Sequence, residues 1–318
     1  MAMIGSSIAL VFALSLVAAP AMYRVIGMSG IFIFIAVLAA VAILWTLYVV
    51  PPETPEARDL SRQVKSGMLG EVLRNPDLLR LNFGIFTLHM AQMSLFLVVP
   101  RALVDESGIA VGDHWMVYLP VVLVSFVLMV PPIMLAERHG RMKSMFMGAV
   151  ALMMLVHGGF AIAYRDFWSL AVLLTLFFVA FNVLEAALPS LVTRLAPAHA
   201  RGTAIGVYNT TQALGLFVGP WVGGWIAKNW GVTQVFVFGF ALFALWMVVA
   251  WPMRAPGNLE KRNFPLGVAA DPEALREALA RLRGVREVAV LPDEGVARLT
   301  FYRGMLDEQA VQIGRAHV

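Results

Sequence analysis

Glu185 is the side chain best placed to do chemistry in this chain of 318 residues, because it sits within a long apolar run. A carboxyl group in such a run must bind a proton, face a cavity or find a partner. Asn182 precedes it by three residues and Pro189 follows by four. On a helix all three share a face, and the proline bends the segment locally. A second polar stripe, Asn82, His89 and Gln92, marks an earlier apolar segment, and Asn209 with Gln212 marks a later one. Histidine ordinarily titrates near neutral pH, so the chemistry on offer is proton uptake and release beside groups able to hydrogen-bond a small solute. The same residues could instead serve as hydrogen bonds between helices. His157, alone on its segment, is expected to be peripheral and structural.

Other chemistries find no residues to carry them. The chain has no cysteine, which excludes disulfides and thiolate ligands, and its six histidines are scattered. No metal centre or cofactor is expected. Neither a paired-carboxylate site nor an activated nucleophile occurs at a workable spacing, so an enzyme is not expected. The 18 methionines and 20 phenylalanines are assigned to packing and lipid contact.

The elements that must position these groups are membrane spans. With 60% hydrophobic and 14% charged residues, the chain carries more apolar surface than a soluble fold of this size can hide. Eight segments reach the ~20 residues a bilayer requires: 3–23, 28–50, 79–100, 115–135, 143–163, 168–192, 203–226 and 232–253. The net charge of +4 comes largely from short connections, notably Arg58, Arg62, Lys65 and Arg74, then Arg138, Arg141 and Lys143, then Arg194 and Arg201. This distribution signals topology rather than nucleic-acid binding, and it puts both termini in the cytoplasm. The first segment lacks a basic leader region and runs on into another, so a cleaved signal peptide is not expected.

Gly215, Gly219, Pro220, Gly223 and Gly224 form the pattern G-x-x-x-G-P-x-x-G-G. Small residues one turn apart allow a neighbouring helix to approach closely. Ser15, Ala19 and Pro20 form a weaker copy, about 200 residues earlier, as in internal repeats. Between the fourth and fifth spans, Glu137, Arg138, Gly140, Arg141 and Lys143 combine a turn glycine with charges able to bridge helix ends. Both patterns resemble motifs of the major facilitator superfamily: the antiporter motif of a fifth helix, and the cytoplasmic loop after a second helix. The stretches Leu79–Ile85 with His89, Phe177–Asn182 with Glu185, and Gly202–Tyr208 resemble its drug-efflux members more closely.

The resemblance implies an all-α polytopic membrane protein of the major facilitator fold. Residues 1–50 would be the last two helices of the N-terminal bundle, 51–78 a cytoplasmic linker, and 79–254 the complete six-helix C-terminal bundle. Four helices of the full-length chain would be missing upstream. It further implies that the third, sixth and seventh spans line the central cavity, as first, fourth and fifth helices of their half.

Within the linker, Met68, Leu69, Val72 and Leu73 could form an interfacial helical face, and Asn75, Pro76 and Asp77 read as the start of the next helix. After a second linker at 255–263, residues 264–312 read as a small α+β domain, an incomplete ferredoxin-like fold. A strand is expected at 264–268, an Asp271-Pro272-Glu273 helix start with apolar Leu275, Ala278, Leu279 and Leu282, a hairpin of 286–291 and 296–302, and a second helix from Leu306. This tail resembles the YAM-type domain appended to some of these transporters. Residues 313–318 read as a sequencing-adapter artefact.

The expected function is secondary active transport of small organic molecules, as proton-coupled drug efflux by alternating access, in a bacterial-type inner membrane. The lipid bilayer, the solute and protons are the expected partners, and nucleic acid is not. A membrane-embedded sensor or scaffold with a ligand-binding tail is the alternative.

Overall fold

Glycine-lined seams set how the long helices pack in the computed structural model, which describes residues 2–51, 68–253, 259–265, 275, 278–279, 282, 284–291 and 296–302. Helix α1 covers Ala2–Tyr48 and is divided at Gly27, whose φ of 66° breaks the helical path. From Val25 to Tyr48 its side chains face outward, Phe32, Leu38 and Trp45 among them. The short helix α2 (Met68–Arg74) buries Val72 completely but leaves Leu69 and Leu73 exposed, so the expected apolar face is split.

The rest of this unit is α3 (Pro76–Asp105), α4 (Trp115–His139), α5 (Met142–Ala163), α6 (Phe167–Leu195), α7 (Arg201–Trp230) and α8 (Val232–Ala250). Their ends follow local chemistry. Asn75 Oδ1 accepts from the N–H groups of Asp77 and Leu78, with Pro76 at the first helical position, so α3 starts where Asn75, Pro76 and Asp77 read as a helix start, three residues ahead of the apolar span from 79. Gly140 ends α4 in the left-handed conformation at φ 65°. Asp166 Oδ2 accepts from the N–H of Ser169 at 2.8 Å to start α6.

Among the described residues six helical stretches are long and apolar enough to cross a membrane: Val25–Tyr48, Pro76–Asp105, Val111–His139, Met142–Ala163, Phe167–Leu195 and Val232–Ala250. The expected spans 3–23 and 203–226 are not among them. The second forms most of α7, whose 30 residues include Asn209, Thr210, Thr211, Gln212 and four glycines from 215 to 224, diluting its apolar content.

Packing centres on α3, which touches α7 along one side and α8 along another. Gly84 leaves the notch that holds the indole of Trp246. On the α5–α8 contact Gly239 makes room for the ring of His157. Phe146, Phe160, Phe177, Phe178, Phe236, Phe243 and Trp246 are fully buried around these seams.

The chain divides into two compact units, Met1–Arg254 and Ala255–Val318. In the second, β1 (Leu259–Pro265), β2 (Val285–Leu291) and β3 (Val296–Tyr302) form an antiparallel sheet in the order β1-β3-β2. Leu275 and Leu279 pack on Ala297, Leu299 and Phe301. The first strand lies earlier than the expected 264–268 and occupies part of the stretch read as the 255–263 linker. Its sequence, Leu-Glu-Lys-Arg-Asn-Phe-Pro, has no apolar alternation to mark it; it is an edge strand on which Arg262, Asn263 and Pro265 are exposed. The Asp271-Pro272-Glu273 helix start, the second helix from Leu306 and residues 313–318 lie outside the described residues, as does most of the 51–78 linker.

Candidate functional site

Three helices bring polar side chains together inside the bundle. His89 comes from α3, Glu185 from α6 and Gln212 from α7. The Gln212 amide nitrogen lies 2.9 Å from His89 Nε2 and 3.3 Å from Glu185 Oε1. On its other side, His89 Nδ1 lies 3.2 Å from the carbonyl of Ile85. A carbonyl only accepts, so Nδ1 carries the hydrogen and Nε2 presents a lone pair to Gln212. The two amide hydrogens of Gln212 are thereby shared between an imidazole and a carboxyl group. Glu185 Oε2 is sealed from solvent, has no hydrogen-bond partner, and lies 3.8 Å from His89 Nε2. Phe181 closes the other side of the imidazole, edge on, with ring centroids 5.7 Å apart.

The hydrogen bonds of this cluster depend on the protonation state of His89. With His89 neutral, Gln212 donates to it. Protonation of Nε2 makes that nitrogen a donor, so the amide must turn over or the imidazolium must move toward Glu185 Oε2, 3.8 Å away. Either response alters the α3–α6–α7 junction.

The remaining sequence candidates separate. Asn182 donates through Nδ2 to Ser125 Oγ on α4 at 3.0 Å, and Ser125 donates to the carbonyl of Val122. Asn182 and Glu185 therefore serve different neighbours, since residues three apart differ by about 60° around a helix and α6 lies between α4 and α7. Asn82 and Gln92 are buried on α3 but make no hydrogen bond with Glu185 or Gln212. Asn209 is exposed rather than paired with half-buried Gln212. His157 is enclosed by the rings of Phe160, Phe177 and Phe243, with Nδ1 2.9 Å from the carbonyl of Met153. It is fully buried in the α5–α8 seam and makes no hydrogen bond with His89, Gln212 or Glu185.

Two polar residues were not singled out in the sequence. Ser94 Oγ lies 2.8 Å from the carbonyl of Gly219 and also 2.8 Å from that of Met90, linking α3 to α7. Tyr208 is buried with its hydroxyl unpartnered, one turn before Gln212. That four-residue spacing was its signal.

The glycine motif forms the α3–α7 seam. A Cβ at Gly215 would stand 2.5 Å from the Phe86 carbonyl oxygen, one at Gly219 2.6 Å from that of Met90, and one at Gly223 2.7 Å from Ser94 Cβ. Gly224 faces the side chain of Leu97 instead, and Pro220 is half-buried within the helix. In the loop motif, the N–H groups of Gly140 and Arg141 close the end of α4, and Lys143 Nζ donates to the Trp251 carbonyl at 3.0 Å. The expected carboxylate bridge is not formed: among the described residues Glu137 is exposed and makes no ion pair. No group of His, Asp and Glu among the described residues is arranged to hold a metal ion.

A bundle of long apolar helices with a glycine seam and a half-buried carboxyl–amide–imidazole junction has the build of a polytopic membrane protein. The chain matches the Major Facilitator Superfamily over residues 1–220 and again over 114–292, and it belongs to that family. It is 38% identical over 296 residues to the inner membrane transport protein YajR of Escherichia coli, covering 92% of this chain and 65% of that protein. Similarity of 28% extends to an uncharacterized transporter of Buchnera aphidicola, over 69% of this chain and 56% of that one. The multidrug resistance protein MdtH of Aeromonas hydrophila is also 28% identical, over 52% of this chain and 41% of its own. A crystal structure of a bacterial homolog of the human lysosomal transporter Spinster, inward-facing and unoccupied, aligns with a TM-score of 0.49 and 15% identity, covering 71% of this chain and 56% of that one. The chain thus spans under two thirds of the length of the relatives it matches.

Proposed function

We propose that this chain is the larger part of a secondary transporter that exports small organic molecules in exchange for protons, with the His89–Gln212–Glu185 junction as its proton-responsive element. The observation that carries the reading is Gln212 donating at once to an imidazole and a carboxyl group from two other helices. Titratable groups within membrane helices are costly and mark ion and substrate pathways. The names of YajR and MdtH support a transport role, and the second supports drug-like solutes. On this reading residues 1–50 belong to the N-terminal bundle, whose first four helices precede this sequence, and both termini lie on the cytoplasmic side of an inner membrane. The sheet order β1-β3-β2 is that of the first three strands of a ferredoxin-like domain, which supports reading the tail as a partial domain of that kind.

The test is flux by the full-length transporter, restored with its upstream helices, in proteoliposomes under an imposed pH gradient. Solute movement should follow the gradient, and Glu185→Gln should abolish that dependence while leaving the protein folded. Gradient-dependent flux that survives Glu185→Gln unchanged would remove the junction from the coupling mechanism. No flux in the restored protein would favour a sensor or scaffold.

A further inference from the structure

A groove of about 570 Å³ lies between α4, α5 and α6, on the side of the loop from Glu137 to Lys143. Its walls are largely apolar, Leu135, Leu152 and Val183 among them, and His139 and Arg141 stand at one end. Gly148 forms part of the wall, and a Cβ placed there would meet nothing within 4 Å. Pro131 and Pro132 lie in the α4 segment that borders it.

The two ends of the groove differ in kind. Arg141 is exposed and, among the described residues, makes no ion pair. The neighbouring carboxylate, Glu137, makes none either. His139 Nδ1 is 2.9 Å from the Leu135 carbonyl, which leaves Nε2 as the ring's free nitrogen. Arg138 is exposed beside them. From Arg141 to Leu152 the groove follows eleven residues of chain, and at the helical rise this is roughly 16 Å. One leaflet of a bilayer is about 15 Å deep, half of the ~30 Å hydrocarbon core. A cationic end at the helix termini and an apolar slot one leaflet deep match a glycerophospholipid: its phosphate at Arg141 and His139, one acyl chain along Gly148 to Val183. Basic pockets between membrane helices hold anionic headgroups on the same grounds.

We propose that this groove is a binding site for an anionic glycerophospholipid. The whole chain, purified in detergent, is titrated with phosphatidylglycerol or with phosphatidylcholine, and bound lipid is read by native mass spectrometry. Phosphatidylglycerol should be retained in preference. Arg141→Ala should weaken its binding about fivefold, the effect of one surface cation. Gly148→Leu should fill the slot and remove the preference. Equal retention of the two lipids, or a preference that survives Arg141→Ala, would overturn the proposal. If Gly148→Leu does not yield a monodisperse protein, Arg141→Ala decides alone. Cross-linking of the Gly148→Cys variant to the chain's own 52–67 segment would likewise overturn it, by giving the groove a different occupant.

Discussion

Gly219 on α7 lies directly against the backbone carbonyl of Met90 on α3, close enough that a Cβ there would stand 2.6 Å from the oxygen. Backbone cannot rotate away as a side chain can. Gly219→Ala should therefore force the two helices apart and destabilise the bundle by about 1–3 kcal/mol, the usual cost of overpacking. Gly224→Ala meets only a terminal carbon of Leu97 at 3.2 Å, so its effect should be much smaller. Unfolding of both variants in the same detergent provides the comparison, and equal losses would show that the seam is not set by backbone contact.

Ser94→Ala removes the hydroxyl that bridges the Met90 and Gly219 carbonyls. Both carbonyls remain acceptors in their own helices, so the loss should be modest, about 0.6 kcal/mol and below 2. A larger loss would mean that the Gly219 carbonyl depends on Ser94 rather than on its own helix.

The junction should be energetically coupled, and Asn182 should stand apart from it. In a double-mutant cycle, Glu185→Gln and Gln212→Ala should interact by about 0.5–3 kcal/mol, as contacting polar groups do. Asn182→Ala should couple to Ser125→Ala and be additive with Gln212→Ala. Unfolding midpoints in detergent give all four terms. Strong coupling between Asn182 and Gln212 would contradict the division of α6 into two polar contacts.

Asp166, in the turn between α5 and α6, supplies the pH dependence. Its carboxylate accepts from the backbone N–H of Ser169, which holds its pKa below the ordinary aspartate value. A depressed folded-state pKa gives stability that is present above the unfolded value, near 3.9, and is lost as pH falls through the folded one. Asp166→Ala should thus lower the unfolding temperature at pH 7, and the gap to the unaltered protein should narrow below about pH 4. A gap independent of pH would mean that the charged cap is not what starts α6.

Much of this was legible in the sequence, and the rest was hidden for identifiable reasons. Gly215, Gly219 and Gly223 announced a close helix contact, because their spacing alone clears one face. Their partner did not show, since Phe86 and Met90 contribute carbonyl oxygens that any residue would supply. Glu185, His89 and Gln212 stood out as polar residues in apolar runs, but their joining through one amide depends on how three helices are rotated. Ser125, the partner of Asn182, carried no signal within its apolar helix. Gly84 gave no hint of Trp246, because a single glycine has no spacing to read. The strand Leu259–Pro265 was placed too late because its exposed edge lacks a period of two.

The glycine seam has a genetic consequence. A buried leucine can be exchanged for methionine or isoleucine at little cost, but every substitution at glycine adds at least one carbon. Gly84, Gly215, Gly219, Gly223 and Gly239 all sit where that first carbon would collide. No codon change at these five positions is conservative in the usual sense. In a library of all single variants they should read as near-invariant beside tolerant neighbours such as Leu216 and Phe217, which point outward.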